Sequence, residues 1–152
     1  MGRRSGFTLV ETLIAVIIVS VMSLMAYPRV NRAMIKSDLR GGKTRLVNMA
    51  STARAAAAAG GRSVSYLKFN GNTAFVTASP RRAAGNGTED TLGAVVNVST
   101  TYNATLATNG IAMITYDPRG MASGFTGGTW IKLSHGSYSD SLRIDQLGRV
   151  TK

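Results

Sequence analysis

Cysteine is absent from this chain of 152 residues, which excludes a disulfide framework, a thiol nucleophile and a cysteine-ligated metal. Whatever folds must be held by packing alone. Histidine occurs once, as His135, so neither a catalytic dyad nor a zinc site has partners to draw on, and a surface-loop position is expected for it. Acids are also few: 7 Asp and Glu stand against 18 Lys and Arg, a formal charge of +11. Asp140 and Asp145, two scattered carboxylates, fall short of the roughly six to eight oxygens that calcium takes. No phosphate-cradling glycine motif is present. No cofactor, no metal and no enzymatic chemistry are expected.

The positive charge is unevenly placed. Arg3 and Arg4 lie at the head of the chain, and Arg29, Arg32, Lys36, Arg40, Lys43, Arg45 and Arg54 face only Asp38 between residues 27 and 59. From residue 60 onward the bases are offset by Glu89, Asp90, Asp117, Asp140 and Asp145, leaving that part mildly basic. The length allows one compact head beyond the apolar run near the start.

That run, Phe7 to Ala26, reads FTLVETLIAVIIVSVMSLMA and carries one charge, Glu11. It matches the ~20 apolar residues that cross a bilayer. A secretory signal peptide would need a small-x-small cleavage site after the run, whereas Leu24 occupies the outer position before Ala26, with Tyr27 and Pro28 behind. A plain single-pass anchor for a periplasmic protein satisfies the hydropathy equally well. Counting the flanking bases would put the C-terminal side in the cytoplasm.

Beyond Pro28 the pattern stays helical to Ala55–Ala59, where Gly60 and Gly61 supply a stop. Ile35, Leu39, Leu46, Ala50, Ala53 and Ala57 fall on one apolar stripe, beside a basic stripe of Arg29, Arg32, Lys36, Arg40, Lys43 and Arg54. Pro28 should kink or loosen the helix, because it removes a donor and crowds the preceding turn. Gly41-Gly42 is a second weak point, at ~1 kcal/mol per glycine relative to alanine.

After Gly61 the period becomes two. Strands are expected at 63–69 and 73–77 around the hairpin signal Asn70-Gly71-Asn72, then at 92–98, 111–116, 129–133, 142–145 and 149–151, with a loop over 79–90. The fold class is α+β: a long N-terminal helix, transmembrane in its first half, packed at its C-terminal half on a small antiparallel β-sheet head. The divisions are 1–6, 7–26 (membrane helix), 27–59 (continuation of the helix) and 60–152 (head). The Asn-x-Ser/Thr triplets at Asn86, Asn97 and Asn103 are given no function.

Arg3-Arg4-Ser5-Gly6-Phe7-Thr8-Leu9-Val10-Glu11 resembles the processing site of type IV prepilins and pseudopilins: a basic leader, a glycine before the cut, a phenylalanine after it, and a glutamate at the fifth mature residue. The resemblance implies that residues 1–6 are a leader cut after Gly6 by a prepilin peptidase, that Phe7 is N-methylated, and that the new amine pairs with Glu11 of the same or a neighbouring subunit during assembly. Physical reasons accompany each element. Leader arginines hold the uncut end at the anionic cytoplasmic face, and Gly6 offers the peptidase an unobstructed backbone. An acid at the centre of a span costs about 2.5–3.5 kcal/mol, and less near its end, which favours finding it a partner. An interfacial acid at a helix N-terminus is the alternative role for Glu11. Pro28 matches a proline common in the pilin helix.

Met113-Ile114-Thr115-Tyr116-Asp117-Pro118-Arg119-Gly120, Trp130-Ile131-Lys132-Leu133 and Leu142 to Val150 resemble the closing strands of GspH/FimT-like minor pseudopilins and minor pilins. That resemblance implies a pilin-like fold and a subunit held in the bacterial inner membrane with its head in the periplasm, later built into a periplasmic or surface filament for type II secretion or type IV pilus assembly. Its partners would be the peptidase and methyltransferase, other pilins or pseudopilins, the inner-membrane assembly platform and lipid. FimT-like relatives are associated with DNA uptake, so a second reading places nucleic acid against Arg81, Arg82, Arg119, Lys132, Arg143, Arg149 and Lys152.

Overall fold

A computed structural model describes residues 7–59, 64–79 and 89–151. Helix α1 runs from Leu9 to Ala59. It is followed by β1 (Val64–Asn70), β2 (Thr73–Ser79), β3 (Asp90–Asn97), α2 (Val98–Tyr102), β4 (Thr105–Ala107), β5 (Met113–Tyr116), β6 (Ala122–Ser123), β7 (Thr129–His135), β8 (Tyr138–Ile144) and β9 (Val150–Thr151). The chain divides into two compact units, Met1–Ile35 and Lys36–Lys152.

In the first unit α1 is one unbroken helical run through Pro28. Its apolar side chains, from Leu9 to Met25, are all exposed. The helix is long and apolar enough to cross a membrane.

In the second unit two antiparallel sheets form instead of the single sheet expected. One has the order β3-β2-β1-β5-β6, the other β4-β7-β8-β9. The β1–β2 hairpin forms in the expected place, with Asn70 opposite Thr73 and Gly71 at φ +56 in the turn. Leu39, Leu46, Ala50, Ala53 and Ala57 of α1 are buried as the stripe requires, Ile35 at its end is half-buried, and Gly42 and Met49 join them. Their counterparts are Leu67, Val76, Ile114 and Tyr116 on the first sheet and Ile131, Leu133, Leu142 and Ile144 on the second. Each fully buried Leu or Ile contributes about 1.5–3 kcal/mol, so this core holds the unit without a cross-link.

Small residues on α1 set how closely the sheets approach. The buried hydroxyl of Ser65 on β1 donates to the carbonyl of Ala53. Gly41 and Gly42 do not interrupt the helix: a Cβ on Gly42 would stand 3.2 Å from Leu133 Cδ1, and one on Gly41 would stand 3.2 Å from Tyr102 Cε1. They are contact points for α2 and β7, where the weakness read from propensity is offset by close packing.

Other differences have local causes. The strand expected to run to Val98 stops at Asn97, whose side-chain oxygen accepts from Ser99 N (3.0 Å) and Thr100 N (3.3 Å) and so starts α2. Helix α2 and the short strands β4 and β6 carry too few residues to show a period. His135 lies at the end of β7, half-buried, with Nδ1 donating to the carbonyl of Asn103, and not in a surface loop. The Gly60-Gly61 stop, Asn86 and residues 80–88 of the expected loop lie outside the described residues.

Candidate functional sites

The N-terminal site is built on the start of α1. Phe7 and Thr8 precede the helix, and Thr8 caps it: its Oγ1 accepts from Glu11 N at 3.3 Å, and its carbonyl accepts from Glu11 N (3.1 Å) and Thr12 N (3.2 Å). Thr8 and Glu11 thus stand at the spacing of a capping box. The Thr12, Ser20 and Ser23 hydroxyls donate to the carbonyls of Leu9, Val16 and Val19 at 2.7–2.8 Å, so these polar groups of the apolar stretch are satisfied within the helix. Glu11 is exposed in the first turn and makes no ion pair among the described residues. Phe7 is 78% exposed. Arg3, Arg4, Ser5 and Gly6 lie outside the described residues.

Of the head's candidate nucleic-acid-binding bases, the four among the described residues, Arg119, Lys132, Arg143 and Arg149, fall into two groups. On the second sheet, Trp130 and Lys132 occupy the outward positions of β7, and Arg143 of β8 is paired opposite Trp130. The Arg143 guanidinium lies 5.6 Å from the Trp130 ring centre, and its Nη2 donates to the Gly127 carbonyl at 3.0 Å. Trp130 remains 50% exposed, on the same face as Lys132, as the alternation along β7 requires.

Arg119 and Arg149 belong to a second group, at two turns of one design. In Asp117–Met121 and Asp145–Arg149 the first aspartate N–H donates to the carbonyl four residues on, at 3.0 Å in both. The glycine N–H, Gly120 or Gly148, donates back to the aspartate carbonyl at 2.8 and 2.9 Å. The aspartate Oδ1 accepts from Met121 N at 2.9 Å and Arg149 N at 2.8 Å. The D-x-x-G spacing is visible twice in the sequence, at Asp117–Gly120 and Asp145–Gly148, but nothing in the spacing brings the two turns together. The two turns meet: Ala122 N donates to the Gln146 carbonyl at 2.9 Å, and a Cβ on Gly148 would lie 2.3 Å from Gly120 O. Arg54 of α1, assigned to the basic stripe, lies over Gly120, whose missing side chain makes room for it.

Lys43 leaves the basic stripe altogether. Its Nζ is 2.6 Å from Asp140 Oδ1, mostly buried, tying α1 to β8. Asp145 is committed to its turn and pairs with Arg149 at 3.3 Å. Both carboxylates thus have partners within the head, and the described residues hold no cluster of three or more metal-ligating side chains. Arg81, Arg82 and Lys152 lie outside the described residues.

Residues 1–27 match the prokaryotic N-terminal methylation motif. No curated protein matches the chain in sequence. Its fold is similar to that of the type IV minor pilin FimU of Pseudomonas aeruginosa strain PAO1 in two crystal forms. One, in space group P21, gives a TM-score of 0.58 at 16% identity over 76% of this chain and 88% of that one. The other, in P65, gives 0.56 at 17% identity over 74% and 90%. The chain carries a type IV pilin methylation motif at its head and has a minor-pilin-like α+β fold.

Proposed function

We propose that this protein is a minor pilin or pseudopilin: a non-enzymatic subunit of a periplasmic or surface filament, serving type IV pilus assembly or type II secretion. The observation that carries the proposal is the methylation motif over residues 1–27 at the head of a helix whose apolar residues from Leu9 to Met25 are all exposed. A chain of this design is made in the inner membrane with its head in the periplasm. The peptidase cuts after Gly6, the amine of Phe7 is methylated, and the apolar run stays with the product. In the filament that amine pairs with Glu11 of the same or an adjacent subunit, since a paired charge in lipid-like surroundings is far cheaper than a lone one. Thr8 holds the first turn so that Glu11 is presented on it. Pro28, which removes one helical hydrogen bond, is where the helix would loosen on packing. The assembly platform and neighbouring pilins are the partners.

Intact-mass analysis and N-terminal sequencing of the membrane-extracted protein test this, with a methylated Phe7 start expected. A start at Met1 would instead fit a simple anchored protein. In Gly6→Leu the uncut precursor should accumulate in the membrane, and normal maturation of that variant would refute the processing step.

A second reading, DNA capture, is favoured by the exposed Trp130 beside Arg143 and Lys132, a cation-flanked aromatic on which a base could stack. Gel shifts across a salt series check it. Affinity should fall steeply with salt and drop in K132Q/R143Q; affinity indifferent to salt removes the reading.

A further inference from the structure

Along the C-terminal part of α1 lies a groove of about 710 Å³ that none of the proposed assembly contacts uses. Val47, Ala55 and Ala58 give it an apolar helix wall, while Arg54, Arg119 and Arg149 stand along it. Gly148 to Thr151 form the other side. That side includes β9, last in the order of its sheet, so among the described residues one of its edges has no neighbouring strand. Among the described residues no carboxylate lines the groove. Arg54 and Arg119 make no ion pair among the described residues, and Arg149 has only its exposed contact with Asp145.

The paired turns explain why three arginines converge. The Gly120–Gly148 approach brings Arg119 and Arg149 to one rim, and Gly120 lets the Arg54 side chain lie across it. Guanidinium groups set in this way, two of the three without an ion pair among the described residues and all beside an apolar wall, call for an acidic and partly apolar occupant. Size argues against a lone oxyanion, because the volume falls in the range of ligand-sized sites of about 300–1,000 Å³. A nucleic acid would want an exposed aromatic, and the lining contains none. An extended peptide suits all three features at once: backbone for the strand edge, small apolar side chains for the helix wall, carboxylates for the arginines.

We infer that this groove docks an extended acidic segment of a partner protein, added as a strand along β9 with its carboxylates at Arg54, Arg119 and Arg149. Docking here does not depend on Phe7 or Glu11, so it stands apart from the filament reading.

The full-length protein in detergent micelles would be titrated with a fluorescent blocked peptide alternating Glu and Val. Saturable binding is expected, weakened about tenfold or more in R54Q/R119Q, with slowed hydrogen exchange at the Val150 amide, which the antiparallel alternation turns away from β8. The Gln-Val analogue should bind correspondingly worse. K132Q/R143Q should bind the peptide normally, and so should the uncut G6L chain, whatever that variant shows about processing. Equal affinity in R54Q/R119Q would overturn the inference. So would binding that leaves the Val150 amide unprotected, or displacement of the peptide by inorganic phosphate or a single-stranded oligonucleotide at comparable concentration.

Discussion

Gly148 and Gly71 are both held at positive φ, +70 and +56, yet they should respond differently to alanine. At Gly71 a Cβ meets nothing within 4 Å, so only the left-handed backbone opposes it, a cost of about 1–2 kcal/mol. At Gly148 the same Cβ would stand 2.3 Å from a backbone oxygen that belongs to the other turn, and one turn cannot yield without moving its twin. The expected loss is about 3 kcal/mol or more, near the upper end for single substitutions. Thermal unfolding of the two variants under one set of conditions checks the ranking, and equal melting temperatures would contradict the paired-turn account. Tyr116, whose ring lies next to Gly148, gives a second prediction. It is fully buried, and its hydroxyl has no partner among the described residues. Burial pushes its pKa from an ordinary 10.0 up to about 12, partly opposed by the charge of Arg54. Below pH 10 both folded and unfolded chains keep the proton. Between pH 10 and 12 only the unfolded chain gives it up, so stability falls as pH rises. Tyr116→Phe should remove that part of the alkaline loss and be neutral or mildly stabilising at pH 8, since a hydroxyl without a partner is deleted. Urea midpoints at pH 8 and pH 11 measure both effects.

Between elements, Lys43 and Asp140 join α1 to β8 at 2.6 Å with 13% and 31% of their side chains exposed. Removing one partner strands the other in a partly dry site. Lys43→Ala should therefore cost about 1–3 kcal/mol, less than for a fully buried pair. The double variant with Asp140→Ala should recover part of that loss, and a double-mutant cycle in chemical unfolding shows whether it does. On the first sheet Glu89 accepts from Lys68 of β1 and, at 2.9 Å, from Thr77 of β2. The Lys68 hydrogen bond is the main cause that lowers its pKa below 4.5, so this contribution is present at neutral pH and is lost as pH falls through the lowered value. None of these ties could be read in the sequence. The long helix, its buried stripe from Leu39 to Ala57 and the Asn70–Thr73 hairpin were legible because each follows a repeating period or a local turn chemistry. The Lys43–Asp140 pair, the close packing at Gly41-Gly42 and the convergence of Arg54 with Arg119 and Arg149 join residues tens of positions apart, and no period marks them. On periodicity Lys43 and Arg54 were equivalent members of one basic stripe, and only tertiary contact separates them.

At the scale of the whole molecule, the N-terminal unit and the head ask for different surroundings. The head buries a contiguous apolar core and leaves only scattered apolar residues exposed, whereas Leu9 to Met25 all expose theirs and need lipid or other helices. The bases that follow the span argue for a cytoplasmic C-terminal side when counted as loose charges. Two of them are engaged within the folded head: Lys43 is paired with Asp140, and Lys36 stands 5.9 Å from the ring centre of Tyr138. If the span were only an anchor, any acid in it would be a burden and its removal would bring no penalty. If it is also a filament contact, two substitutions should separate those roles. An aspartate at Ile17, mid-span and unpartnered, costs about 2.5–3.5 kcal/mol and should shift the protein toward the carbonate-extractable fraction. Glu11→Val should do the reverse, leaving the protein at least as firmly in the membrane and still cut after Gly6, while lowering its share of sheared filaments several-fold. Normal incorporation of Glu11→Val would mean that the first-turn carboxylate only completes the helix start that Thr8 caps, and its pairing role would have to be given up.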